Sequence, residues 1–350
     1  MESKKYSELY RQIKDKITSG EYKSGEKLPS KRVTADHFGC SVITVEKAYG
    51  MLADEGYIVP KERSGYFVGK LDLPYTGIHK AFDNRIAHIA DDVSPPHGEF
   101  EHSVWFKTIR KVISESGEKL FVKSPGKGCA VLRNAISDYL LRYRGMSASP
   151  ERIIIGSGSE QLYETVVKIL GRNRVYGIEN PSYSQIEAVY KGYGVTLKKL
   201  KLEKDGIRND TLKEACVDVL HVTPFRSYPT DVTVGVSKRY EYLSFAGDGR
   251  YIVEDDFNSE FFKPGHPVEP LYSLDTRGVV IYMNTFSKSL SPSMRMGYMI
   301  LPESLMDEYD RKLGMFSCSV PVLDQYVLAE FISSGNFERH LNRMRRRMRS

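Results

Sequence analysis

The sequence predicts two units of different fold class. An α+β winged helix-turn-helix occupies the first seventy residues, and a large α/β/α three-layer domain with a mostly parallel central sheet follows it. Three observations lead there. The first seventy residues carry three helical apolar periods and then two short strand-like runs around a charged turn. From about residue 103 onward, helix-patterned and strand-patterned segments alternate. Many of the later strand runs are continuously apolar, as expected of strands covered on both faces.

The N-terminal elements follow in order. In YSELYRQIKDKITSG, Leu9, Ile13 and Ile17 recur at helical spacing and Gly20 is placed to end the helix. After a short turn, Ser30 can cap a second helix, KRVTADHFG, closed by Gly39. Ser41 can cap a third, SVITVEKAYGMLADEG, whose apolar face is Val45, Ala48, Tyr49 and Leu52. YIVPKERSGYFVG then reads as a hairpin, with Gly65 permitting a tight turn. In this arrangement the third helix enters the major groove with its N-terminal residues at the base edges. The expected DNA contacts are Ser41, Thr44 and Lys47 on that helix, Lys31 and Arg32 on phosphates, and Arg63, Ser64 and Gly65 in the wing.

Composition narrows the remaining classes. With 41% hydrophobic and 27% charged residues the chain is globular rather than disordered. No apolar run approaches membrane-spanning length, and the charged start MESKKYSELYRQIK lacks a signal-peptide core. Cys40, Cys129, Cys216 and Cys318 are widely spaced, which suits reduced thiols in a cytoplasmic protein rather than a zinc or disulfide set, and no metal is expected. The net charge of +6 is uneven: residues 1–70 hold thirteen Lys and Arg against ten Asp and Glu, and residues 331–350 hold six Arg against one Glu. A basic head on a near-neutral body suits a nucleic-acid-binding module joined to another kind of domain. The basic run near the end also carries Leu341, Met344 and Met348 at helical spacing, so it reads as a packed helix before it reads as a nucleic-acid tail. The expected divisions are residues 1–70, a linker over 71–87, and a body over 88–350.

Within the body, WFKTIRKVISES, AVLRNAISDYLLRYRG and SEQLYETVVKIL are helix-patterned. ERIIIGSG, RVYGIE, GVTLKKL, VDVLHVTP, RYIVEDD and VVIYMN are strand-patterned. Sites in such sheets gather at the carboxyl ends of strands, and four chemically suggestive pieces lie at such ends. GSGSEQ is a strand-to-helix junction where Gly158 and Ser159 can present free backbone N–H groups to a phosphate. Tyr183 in ENPSY can stack on a planar ring, or serve as core. In VEDDF one of two adjacent carboxylates can hold a protonated ring nitrogen. In TFSKSLSPSMR, Thr285, Ser287 and Arg295 can bind a phosphate, and Lys288 can form a Schiff base with an aldehyde carbon. Singly each piece has an ordinary structural explanation. Together they meet the requirements of pyridoxal 5′-phosphate (PLP).

LPSKR, ITVEKAY, LADEGY and SGYFV over residues 28–68 resemble the GntR type of winged-helix DNA-binding domain. SPGKG, ENPSY, TPFRSYPT, VEDDFNSEF and TFSKSLSPSMRMGY resemble the fold type I aminotransferases, and the two modules together resemble the MocR subgroup of GntR regulators. The resemblance implies Lys288 as the internal aldimine lysine, Asp255 at the pyridine nitrogen and Tyr183 on the ring. It places Ser159, Ser287 and Arg295 at the phosphate with the backbone near Gly158, and leaves Asp256 a structural acid. It implies a homodimer as well. Four departures matter. Val42 stands where the family often has arginine, and Arg63 where a wing glycine is common. Phe257 replaces a tyrosine whose hydroxyl would contact the ring oxygen, and Arg226, Ser227 and Asp231 replace a histidine-glutamine pair and a glycine. The family's small C-terminal domain, with its carboxylate-binding arginine, has no counterpart, so the chain reads as truncated.

The expected function is a PLP-dependent regulator that binds a double-stranded DNA operator and senses PLP or a small amino compound through the Lys288 aldimine. One alternative is an aminotransferase carrying a DNA-binding module, although an efficient enzyme is not expected and at most a residual half-reaction is. Another is a DNA-binding protein whose degenerate body serves dimerisation.

Overall fold

The structure, a computed structural model, describes residues 2–62, 64–69, 100, 102–261 and 269–347. Arg63 and the expected linker over 71–87 lie outside the described residues. The chain divides into two compact units, Met1–Ala90 and Asp91–Ser350.

In the first unit, α1 (Glu2–Thr18), α2 (Lys31–Phe38) and α3 (Val42–Asp54) precede a hairpin of β1 (Ile58–Lys61) and β2 (Gly65–Val68). The strands are antiparallel, with Ile58 opposite Val68 and Lys61 opposite Gly65. Both capping expectations hold: Ser30 Oγ accepts from the Val33 N–H, and Ser41 Oγ accepts from the Thr44 N–H at 3.1 Å. The apolar stripe of α1 meets the apolar face of α3. Leu9, Ile13 and Ile17 pack with Val45, Ala48, Tyr49 and Leu52, and Ile58 and Val68 of the hairpin close the core. Burying such a cluster of aliphatic side chains contributes roughly 1.5–3 kcal/mol per fully buried residue before conformational entropy is set against it.

In the second unit, α4 (His102–Ser116) and α5 (Ala130–Tyr139) lead to β3 (Ile153–Gly156). Then come α6 (Ser159–Leu170), β4 (Val175–Asn180), α7 (Ser184–Gly192), β5 (Thr196–Glu203), β6 (Gly206–Ile207) and α8 (Asn209–Ala215). β7 (Val219–Val222), α9 (Val236–Phe245), β8 (Tyr251–Asp255), α10 (Leu271–Leu274), β9 (Val280–Thr285) and β10 (Gly297–Ile300) follow. Last are α11 (Met306–Leu313), α12 (Val322–Ser333) and α13 (Asn336–Arg347). The sheet order is β3-β10-β9-β8-β7-β4-β5-β6. Pairs β5-β4, β4-β7, β7-β8 and β8-β9 are parallel; β10 runs antiparallel to both β3 and β9, and β6 antiparallel to β5.

Side chains of the sheet alternate between two covered faces. Ile153, Ile155, Tyr282, Tyr298 and Ile300 join Leu132, Ile136, Leu328 and Phe331 from α5 and α12. Ile154, Ile281, Met283 and Met299 join Leu162, Val166 and Tyr309 from α6 and α11 on the other face. That is the expected three-layer α/β/α domain.

Two details differ from the sequence reading. β10 and β6 are short strands that it did not contain. AVLRNAISDYLLRYRG does not run as one α-helix: α5 stops at Tyr139, and residues Leu140–Arg144 form a π-helical turn closed by Gly145 at φ 62°. The wider turn re-aims Arg144 into the interior, where it pairs with Asp256 at 2.9 Å and Glu260 at 3.6 Å.

Candidate cofactor site and DNA-reading surface

β4, β7, β8 and β9 are parallel, and β3 shares their direction because it and β9 flank the reversed β10. Their carboxyl ends therefore lie along one sheet edge. Gly158 and Ser159 follow β3, Tyr183 follows β4, the loop 223–232 follows β7, Asp255 ends β8, and Thr285 with Ser287 and Lys288 ends β9.

Asp255 is almost fully buried. The Tyr163 hydroxyl donates to its Oδ2 at 2.5 Å, and His221 Nε2 lies 3.6 Å from the same oxygen. His221 is set in turn by a 2.7 Å hydrogen bond between Nδ1 and the Tyr190 hydroxyl. Burial and the Asp255 charge hold the Tyr163 phenol well above its ordinary proton affinity, so it stays a donor to the carboxylate. Asp256 points the other way, into Arg144 and the Tyr282 hydroxyl.

Lys288 Nζ donates to Asn258 Oδ1, and Asn258 Nδ2 donates to the Arg226 carbonyl at 2.8 Å. The ammonium sits 5.4 Å from the centre of the Phe257 ring and 5.6 Å from that of Phe261. Burial lowers the proton affinity of this amine, Arg226 lowers it further, and Asp231 partly opposes them. A lysine disposed to lose its proton is a better nucleophile. The loop beside it is tied down at both ends. Arg226 and Asp231 both take positive φ, 50° and 58°, and pair at 2.7 Å; the Ser227 hydroxyl donates to Glu179 at 2.7 Å. Glu179 is buried, and burial pushes its carboxyl up to about 8.

At the start of α6, Gly158 holds φ 98°, and a Cβ there would come within 3.1 Å of the Arg295 guanidinium. The positive φ favours glycine here, and a side chain would push the guanidinium back by a few tenths of an ångström. Arg295 pairs with Glu160 across the same turn. Tyr183 is half-buried and meets Tyr228 edge-on at 6.1 Å. The Ser287 hydroxyl donates to the Met294 carbonyl at 3.3 Å, and Thr285 is buried at the strand end. The expected residues thus share one edge of the sheet. Four neighbours escaped the sequence reading: Tyr163, His221, Glu179 and Asn258. A lone polar residue inside the apolar runs VDVLHVTP and RVYGIE was the only available signal for two of them.

On the first unit, Val42, Ile43, Glu46 and Lys47 form the exposed side of α3. Thr44 is half-buried and its hydroxyl is 2.8 Å from Ser41 Oγ, so those two cap their own helix. Lys31 pairs with Glu46 at 2.5 Å, while Arg32, Ser64 and Gly65 are exposed. Among the described residues no helix is long and apolar enough to cross a membrane, and no His, Cys, Asp or Glu cluster could hold a metal ion.

Residues 5–68 match the family of bacterial regulatory proteins of the gntR type, and residues 96–220 match aminotransferase class I and II. The chain is similar to the uncharacterized HTH-type transcriptional regulator YdeL of Bacillus subtilis, 33% identical over 97% of this chain and 76% of that protein. It is also similar to the probable rhizopine catabolism regulatory protein MocR of Rhizobium meliloti, 29% identical over 97% of this chain and 74% of that one. Among solved structures, an archaeal alanine:glyoxylate aminotransferase superposes with TM-score 0.63 at 25% identity, covering 69% of this chain and 62% of the enzyme. The α-aminoadipate aminotransferase LysN of Thermus thermophilus gives 0.62 at 26%, covering 71% and 64%. The chain thus spans under two thirds of the length of these enzymes. The amine, buried acid, aromatic face and glycine-arginine cradle at the sheet edge fit the PLP-binding kind of domain that this fold likeness implies. The chain belongs to the GntR family of bacterial regulatory proteins, as a MocR-type member in which a helix-turn-helix unit is fused to a fold type I, PLP aminotransferase-like domain.

Proposed function

We propose that this regulator binds PLP at Lys288 and reports PLP itself, or an amino compound reacting with it, to its DNA-binding unit. The observation that carries the reading is Lys288: a part-buried amine of lowered proton affinity, on the same strand-end edge as the buried carboxylate of Asp255. When bound, PLP supplies an aldehyde carbon and an electron-withdrawing ring. Lys288 supplies the amine for that carbon. Asp255, oriented by Tyr163, holds the ring-nitrogen proton, and Tyr183 covers the ring. Gly158, Ser159, Thr285, Ser287 and Arg295 receive the phosphate, which competes with Glu160 for the Arg295 guanidinium. Asn258 links Lys288 to the Arg226 backbone, so a change in the bonding of Nζ alters what holds the loop 223–232. The protein acts in the cytoplasm as a homodimer on a double-stranded operator.

Phe257 brings no hydroxyl to the ring oxygen. It offers the amine only an aromatic ring, whose centre lies 5.4 Å from Nζ. Titrating the purified chain with PLP should produce a visible absorbance band that Lys288→Ala abolishes completely. Phe257→Tyr should move the pH midpoint of that band. A wild-type protein with no band sinks the reading; superimposable pH curves sink only the part assigned to Phe257.

A further inference from the structure

The hydrogen-bonding groups at the start of α3 are mostly spent on the protein itself. Ser41 Oγ accepts from the Thr44 N–H and lies 2.8 Å from the Thr44 hydroxyl. Glu46 is occupied by Lys31 at 2.5 Å. What the first turn turns outward is apolar: Val42 is 42% exposed and Ile43 65% exposed. Two adjacent branched aliphatic side chains in water gain free energy when a partner covers them. Lys31 and Arg32 open α2, Lys31 reaching Glu46 of α3, and Lys47 lies on the exposed side of α3, so the cover is polyanionic.

In a helix-turn-helix, this is the turn that meets the base edges in the major groove. Of the four bases, only thymine shows an apolar group there, its C5-methyl. We infer that Val42 and Ile43 read thymine methyl groups in the operator half-site, so that A·T pairs lie under the start of α3. Lys47, one turn further on, supplies charge to the backbone without choosing the base.

The experiment uses the full chain and a randomised duplex library. The duplex selected at fixed salt is then made again with deoxyuridine in place of each thymidine under the helix footprint, which removes only the methyl groups. Affinity should fall about fourfold for each buried methyl lost. In the Val42→Ala, Ile43→Ala double variant the two duplexes should bind alike, whereas Lys47→Ala should weaken both equally. Because both replaced side chains are exposed, a matching melting curve checks that the variant is folded, and the deoxyuridine comparison on wild type needs no variant. Selected sites without thymine under the footprint, equal binding of the two wild-type duplexes, or a methyl preference that survives in the double variant would each overturn the inference. No binding to any duplex would overturn the DNA-binding function as well.

Discussion

The two units place their candidate site residues in opposite media. The helix-turn-helix turns Val42, Ile43, Lys47 and Arg32 into water and fixes them from behind with caps and an aliphatic core. The aminotransferase-like domain draws Asp255, Asn258 and Glu179 into its interior, each no more than 4% exposed. Charges in water are screened and individually weak. Charges out of water must be paired or lose their charge, and a partner's removal is felt strongly. Substitutions on the DNA-reading surface should therefore act mildly, through salt-dependent binding, while those at the sheet edge should act strongly and with pH.

The largest effect is expected at Arg144. Its guanidinium is buried between Asp256 and Glu260, with the Tyr282 hydroxyl also donating to Asp256. Arg144→Met keeps an unbranched apolar stem and leaves the buried carboxylate of Asp256 without its cation, while Glu260 retains Arg345 at 3.7 Å. The loss should be about 3–5 kcal/mol in denaturant unfolding. Nothing on the first unit's surface should approach that. A loss under about 1 kcal/mol, the level of an exposed ion pair, would break the contrast between the two units.

A smaller effect, legible only with pH, is expected at Glu179. Burial pushes its carboxyl up to about 8; the Ser227 hydroxyl and the Thr223 backbone oppose this, and Asp255 adds to it. In the unfolded chain the group titrates near about 4.3. Between those values the folded protein holds a proton that the unfolded chain has released. The stabilisation is complete below the unfolded value and is lost as pH rises towards about 8. Glu179→Gln keeps an acceptor for Ser227 and removes the titration. Its stability relative to wild type should rise by a few kcal/mol across that window. Parallel stability curves from pH about 5 to about 8 would show that Glu179 is ionised throughout.

How much of this was legible in the sequence follows the same division. Caps and apolar faces are local, so Ser30, Ser41 and the Val45–Leu52 stripe could be read directly, and they were observed. The strands with long apolar runs were legible too, as was the clustering of the motif loops, because parallel strands send their carboxyl ends to one edge. β10 was not. Its four residues, GYMI, begin inside a motif dense with polar residues, and they become a strand because β3 and β9 bracket them. The π-helical turn was hidden because LLRYR keeps a helical pattern while Arg144 is drawn to residues more than a hundred positions away. Tyr163 and Asn258 were missed for that reason as well: each is an unremarked residue until the fold brings it to Asp255 or Lys288.

The smallest expected effect on stability tests the exposed side of the contrast. Ser41 supplies one side-chain hydrogen bond to the α3 backbone, and Ser41→Ala should cost about 1 kcal/mol, Ser41→Gly only a few tenths. The two variants separate the cap from the freedom of the chain around it. Both leave the core of Leu9, Ile13 and Leu52 intact, so the unit stays folded. Both variants lose the Oγ that anchors the turn bearing Val42 and Ile43 and free the Thr44 hydroxyl, but glycine is the better N-cap of the two and holds that turn more firmly. Duplex affinity should therefore fall more in Ser41→Ala than in Ser41→Gly, in the same order as stability, as binding isotherms and melting curves on one preparation would show. If alanine instead cost as much as Arg144→Met, the start of α3 would depend on Ser41 the way the buried acids depend on Arg144, and the two units would not differ in kind.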